Sequence, residues 1–204
     1  MILTSSNSDE IAELIIHLGR SSRGEDLASP LTAAQWTCLR FFARANRLSR
    51  TPSAFANFQA TTRGTASQTI KILERRGLLA RYRSDHDGRS VRLEITKLGQ
   101  EALNADPLLD LMTLIDDISS QERAVFLATL SRLSETLAGL KGVQAFGTCE
   151  ACNHYSQSDG GGYCACVAAE LIADDLGKLC INFSSDGVSR RTSIISNKIR
   201  KGNA

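Results

Sequence analysis

The chain has 204 residues, 42% of them hydrophobic and 23% charged, a balance that fits an ordinary globular protein and excludes a largely disordered or collagenous one. No apolar run approaches the roughly 18 residues of a membrane span. The N-terminus shows no basic segment leading an apolar one, so no secretion signal is expected and a cytoplasmic setting follows by default. The net charge of +2 conceals an asymmetry: residues 31–100 hold thirteen Lys and Arg against four Asp and Glu, and the rest of the chain holds eleven against eighteen. A basic segment set between acidic ones is the profile of a module that faces a polyanion.

Residues 8–19 place Ile11, Leu14, Ile15 and Leu18 on one helical stripe. After a Ser- and Gly-rich stretch ending at Pro30, Thr32 with Gln35 forms a capping box that opens a helix through Trp36, Leu39 and Phe42. Thr51 before Pro52 predicts a second, short helix to about Phe58. Thr61 or Thr62 caps a third, which runs to Arg76 and stops at Gly77. The period then changes to two. Leu79–Arg83 reads as a strand, and Val91, Leu93 and Ile95 alternate with Arg92 and Glu94 in another, with Asp85-His86-Asp87-Gly88 as the turn between them. Thr96 caps a helix carrying Leu98, Ala102 and Leu103. Beyond Pro107, Ser119 and Glu122 make a further capping box, and Phe126, Leu130, Leu133, Leu137 and Leu140 form a coiled-coil-like seam suited to a second subunit.

Helix, short helix, tight turn, helix and basic hairpin make a winged helix-turn-helix, whose second helix enters the major groove with its N-terminal residues at base edges. Here those residues are Arg63, Gly64, Thr65, Ser67, Gln68 and, one turn later, Lys71. Arg and Gln are the side chains that read guanine and adenine edges. Ala66, Ile70 and Leu73 keep the opposite face for the core. Arg89 is positioned for a narrow minor groove, while Arg81, Arg83 and Arg92 suit phosphate contacts that carry no base information. Arg75 and Arg76 complement the helix dipole.

The run Thr61–Leu78 resembles the recognition helix of MarR-type transcriptional regulators, and Asp87-Gly88-Arg89 followed by Leu93-x-Ile95-Thr96-x-x-Gly99 resembles that family's wing and next helix. The resemblance covers roughly residues 8–142. It implies a homodimer bound to double-stranded DNA at a near-palindromic operator, joined through the first helix and the last two. It implies DNA contacts from Arg63, Thr65, Ser67, Gln68, Lys71 and Arg89, with Asp87 orienting neighbouring arginines. Ser84 stands where the family usually has Asp at the start of the wing motif. The fold class expected is mainly α with a small β-hairpin (α+β). Its parts are an N-terminal dimerisation helix (1–30), a winged helix-turn-helix (31–100), C-terminal dimerisation helices (101–142), a cysteine-rich segment (143–183) and a disordered basic tail (184–204).

Five of the six cysteines lie within Cys149–Cys180. That segment has few large apolar residues, so a metal would supply folding energy that its core lacks. Four thiolates suffice for tetrahedral zinc or for a cluster of two or four irons. Cys149, Cys152, Cys164 and Cys180 are the expected ligands, with Cys166 the alternate for Cys164 and His154 a loop residue. The irregular second half and the lack of histidine favour iron–sulfur, with zinc the other choice and metal-free thiol redox chemistry a third. An iron–sulfur centre would act as a sensor whose loss reaches the recognition helices through the helix ending near Lys141–Gly142. Cys38 is expected in the core. A small effector bound near Trp36 and Phe42 is an alternative mode of control. No enzyme is expected: there is no Walker loop, nucleophile elbow or HExxH, and no His-x-Glu precedes a Pro-Cys-x-x-Cys.

Overall fold

A computed structural model describes residues 7–23, 29–83, 91–158 and 161–185. In the basic segment each helix begins where a threonine hydroxyl accepts an otherwise unpaired backbone N–H. Thr32 and Gln35 close a full capping box at the head of α2 (Ala33–Arg44), and Thr51 accepts from Ala54 ahead of α3 (Pro52–Phe58). Thr62 accepts from Thr65 ahead of α4 (Arg63–Arg75), and Thr96 from Gly99 ahead of α5 (Lys97–Ala102). Gly77, with φ +71°, takes the left-handed position after α4. The chain then enters β1 (Leu79–Arg83), which pairs antiparallel with β2 (Val91–Ile95), Leu79 opposite Ile95 and Arg83 opposite Val91. The hairpin tip, with Ser84, His86, Asp87 and Arg89, lies outside the described residues.

One core holds these elements together. Trp36, Leu39, Phe41 and Phe42 of α2, Phe55 of α3, Ile70 and Leu73 of α4 and Leu93 of β2 are buried in it. The Phe41 ring lies 5.2, 5.6 and 5.0 Å from those of Phe42, Phe55 and Phe58, spacings at which aromatic edges and faces attract. Cys38 is in the same core. Trp36 and Phe42 are wholly buried in it.

The remaining helices are α1 (Asn7–Ser21), α6 (Leu108–Asp116) and α7 (Ser120–Lys141). No residue of α1 or α6 is buried, and Ala138 is the one buried residue of α7. Ile11, Leu14, Met112, Leu114, Phe126, Leu133, Leu137 and Leu140 are all exposed on them. Ser119 caps α7 as expected, accepting from Glu122 N–H, but the Glu122 carboxylate accepts a hydrogen bond from the Ser119 hydroxyl and not from the Ser119 backbone N–H of a full capping box.

The cysteine-rich segment is more ordered than its composition suggests. It contains β3 (Gly147–Thr148), a 3-10 turn (Cys149–Ala151), β4 (Tyr155–Ser158), β5 (Gly161–Cys164), β6 (Ala169–Ile172), α8 (Ala173–Leu176) and β7 (Leu179–Cys180). β4, β5 and β6 form an antiparallel sheet in that order, and β3 pairs with β7. Gly162 is needed there because a Cβ would meet the Tyr155 ring at 2.2 Å. Ser184 and Ser185, the first residues of the expected tail, are among those described. Ser184 accepts from Asn153 N–H at 2.8 Å, and Ser185 Oγ donates to Glu135 at 2.8 Å. The basic residues Arg190, Arg191, Lys198, Arg200 and Lys201 lie outside the described residues.

Candidate nucleic-acid interface and cysteine centre

At 100° per residue, α4 buries Ala66, Ile70 and Leu73 and turns Gly64, Gln68, Lys71 and Arg75 to the opposite side. Arg63, Thr65, Gln68 and Lys71 are exposed, and Ser67 is half-buried at the edge of the stripe. The Thr65 hydroxyl is 2.9 Å from that of Thr62, which links it to the cap. Arg75, assigned above only to the helix dipole, is exposed on the same face as Gln68 and Lys71. Its spacing of seven from Gln68 was the signal that could have shown it.

The arginines around α4 divide by what they touch. Arg81 of β1 makes a bidentate pair with Glu74 of α4, at 2.7 and 3.0 Å, so its charge is largely met within the protein. Arg76 donates to the Pro30 carbonyl at 2.7 Å. Arg50 pairs with Glu94 of β2 at 3.0 Å. Arg83, at the end of β1, is exposed.

Cys149, Cys164 and Cys180 are buried in one small cluster with Leu171 and Phe183, and Cys152 packs against it. The turn geometry explains the first pair, since Cys152 N–H donates to Cys149 O at 3.1 Å. Strand register brings the others: Cys180 lies opposite Gly147 and Cys164 opposite Tyr155. Two sulfurs accept hydrogen bonds. Asn46 Nδ2 donates to Cys149 Sγ at 3.3 Å, and Ser184 N–H donates to Cys152 Sγ at 3.4 Å. Burial pushes the Cys149 thiol up to about 11, the Asn46 hydrogen bond pulls it down, and Cys180 and Cys164 push it up again. Among the described residues, no group of three or more His, Cys, Asp or Glu side chains is placed so as to hold a metal ion. The donor types are those a thiolate-bound metal takes: clustered, mostly buried sulfurs, with an N–H donated to each of two of them. Cys166 is exposed. With His154, Val143 and Phe183 it lines a cleft of about 390 Å³, and neither Cys166 nor His154 belongs to the sulfur cluster.

The segment is fastened to the helices and ribbon of the basic segment. Leu179 forms a parallel bridge with Ala45, and its carbonyl accepts from Asn46 N–H at 2.9 Å. Leu179 and Ile181 pack on the main core, and Phe146 meets Phe58 edge-on at 5.0 Å. Asn46 was missed by sequence reading, and no local signal marks it.

The order and contacts of α2, α3, α4 and the β1–β2 ribbon define a winged helix-turn-helix. Residues 29–90 match the model of the MarR family. The chain is similar to S. aureus MepR in its DNA-binding conformation (TM-score 0.54, 21% identity, 65% of this chain and 99% of that one). It is also similar to MepR of S. aureus in a DNA complex (TM-score 0.51, 21% identity, 65% and 96% covered) and to MarR (TM-score 0.50, 24% identity, 70% and 97% covered). The fold is the MarR-type winged helix, and the cysteine segment lies beyond the family match. Comparison with curated proteins gives no match. Among the described residues no helix is long and apolar enough to cross a membrane.

Proposed function

We propose that the protein is a dimeric DNA-binding transcriptional regulator whose operator binding is tuned by a cysteine-ligated metal centre. The observation that carries this reading is the polar, exposed face of α4 beside an arginine-bearing ribbon. The likeness to DNA-bound MepR supports it. In this reading Arg63, Thr65, Ser67, Gln68 and Lys71 meet the major groove, and Gln68 reads a base edge. Arg89 reaches the minor groove, with Asp87 orienting it. Two copies joined through α1, α6 and α7 present two such helices to a near-palindromic operator. The exposed apolar residues of those helices support this pairing.

Cys149, Cys152, Cys164 and Cys180 would hold the metal, and the exposed Cys166 is spare. An iron–sulfur cluster is the form carried forward, because the cluster contains no histidine and its second half lacks a C-x2-C knuckle. Bound there, it would supply sensitivity to oxidant or iron shortage. Anaerobic purification with metal analysis and an absorption spectrum, followed by selection of genomic fragments, tests the whole reading. Brown protein with visible iron–sulfur bands and enrichment of particular fragments is expected. Colourless protein with stoichiometric zinc would replace the cluster by a zinc site. Absence of any preferred fragment would overturn the DNA assignment.

A further inference from the structure

The contacts between the cysteine segment and the rest of the chain are unevenly placed. Most fall on the turn between α2 and α3. Asn46 stands at its centre and is wholly buried. Its Nδ2 donates to Cys149 Sγ at 3.3 Å, its N–H donates to the Leu179 carbonyl at 2.9 Å, and its Oδ1 accepts from Ser49 N–H at 2.9 Å. Ser49 Oγ in turn accepts from Ile181 N–H at 2.9 Å. The turn and the strand that carries Cys180 are therefore laced together from both sides. Arg47 adds a clamp: its N–H donates to Asp175 Oδ1 at 3.0 Å, its Nε lies 3.0 Å from Asp175 Oδ2, and its Nη2 donates to the Glu170 carbonyl.

The same turn holds the DNA-reading parts. The Arg50 carbonyl accepts from Leu93 N–H of β2 at 2.9 Å, and the Arg50 side chain bonds Ala45 O and Glu94 of β2, both at 3.0 Å. Thr51 caps α3, which supports α4. Against α7 the hydrogen bond is a side-chain one, from Ser185 Oγ to Glu135.

We propose that the cysteine centre controls DNA binding within each protomer, through the Asn46–Arg50 turn, and not through the helix that leads to the partner copy. This inference rests on the reading of the cysteines as a metal centre. The small cluster around Cys149, Cys164 and Cys180 has only Leu171 and Phe183 as buried large apolar groups, so on that reading a bound metal adds to its order. Release loosens β7 and the Cys149 turn, Asn46 and Arg47 lose their partners, and the Arg50 anchor of β2 relaxes.

The test uses the full-length dimer, metal-loaded and chelator-stripped, titrated at fixed salt onto a fragment recovered by genomic selection. Wild type is expected to change its Kd by about ten-fold between the two states. Arg47→Ala and Asn46→Ser, each at saturating metal with unchanged stoichiometry, are expected to change by less than about two-fold. A two-glycine insertion after Val143 is expected to keep the full response. Hydrogen exchange gives an independent reading: stripping speeds exchange at Asn46, Ser49 and Leu93 amides more than in α7. A full response in Arg47→Ala and Asn46→Ser, or its loss in the insertion alone, overturns the route. Wild type that holds no metal on these cysteines, or binds DNA equally in both states, sinks the underlying reading and the route with it.

Discussion

Arg40 Nη1 of α2 lies 2.9 Å from Asp106 Oδ1, and the same carboxylate oxygen accepts from Leu108 N–H at 2.9 Å. The reading module and the start of α6 are thus tied at one buried acid. Both side chains are mostly shielded, 16% and 6% exposed, so the pair is not a solvent-screened surface bridge. Asp106→Ala would leave the Arg40 guanidinium buried without its partner. We expect a loss of about 3 kcal/mol in urea unfolding, since orphaning a buried charge costs that much. A loss below about 0.5 kcal/mol would mean that water reaches the arginine.

The Glu74–Arg81 pair leads to a prediction about salt. Because Glu74 already meets the Arg81 charge, Arg81→Ala should leave the slope of log affinity against log salt nearly unchanged. Arg63→Ala, at the exposed helix tip, should lower that slope by about one. Equal effects from the two variants would show that Glu74 releases Arg81 on DNA.

Base reading separates from phosphate contact by a different readout. Gln68→Ala should relax preference at one position in each half-site, by roughly 1–3 kcal/mol against the wrong base. Arg83→Ala, at the exposed end of β1, should weaken all fragments alike. Competition binding with single-substituted operators measures both, and a uniform loss in Gln68→Ala would move that residue off the base edge.

Much of the reading module was legible locally, because its signals act over three or four residues. Thr32, Thr51, Thr62 and Thr96 each accept from the N–H three residues on, and Gly77 takes the left-handed position that ends α4. The second strand of the hairpin was legible from alternation at Val91, Leu93 and Ile95, while the register was not. The docking of the cysteine segment was not legible. Asn46 and Cys149 are 103 residues apart, and Ser49 and Ile181 are 132 apart, and no periodicity encodes a pairing at that distance. The expectation of a route through Lys141–Gly142 was drawn from sequence adjacency, which carries no information about contacts at that separation.

Thiol labelling should separate the cysteines by environment. Cys166 is exposed, whereas Cys38 is buried and its burial raises the thiol pKa far above its ordinary value. Since the thiolate is the reactive form, a metal-free chain should modify first at Cys166, and at Cys38 only after unfolding. Mass spectrometry of a timed alkylation measures the order, and early labelling of Cys38 would contradict its place in the core.

The exposed seam of α7 gives the last variant. Leu133→Glu with Leu137→Glu places charges on a face that is open in the single chain. Sedimentation should show dimer converted to monomer, with specific DNA binding lost while far-UV helicity stays near wild type. A dimer that survives both charges would place the contact elsewhere.

Footprinting of the metal-loaded protein on a selected fragment tests the central claim most directly. Two symmetric protected half-sites, centred about one helical turn (roughly 34–36 Å) apart, are the predicted result. Uniform protection along the duplex, with no half-sites and no preference over bulk competitor, would contradict it.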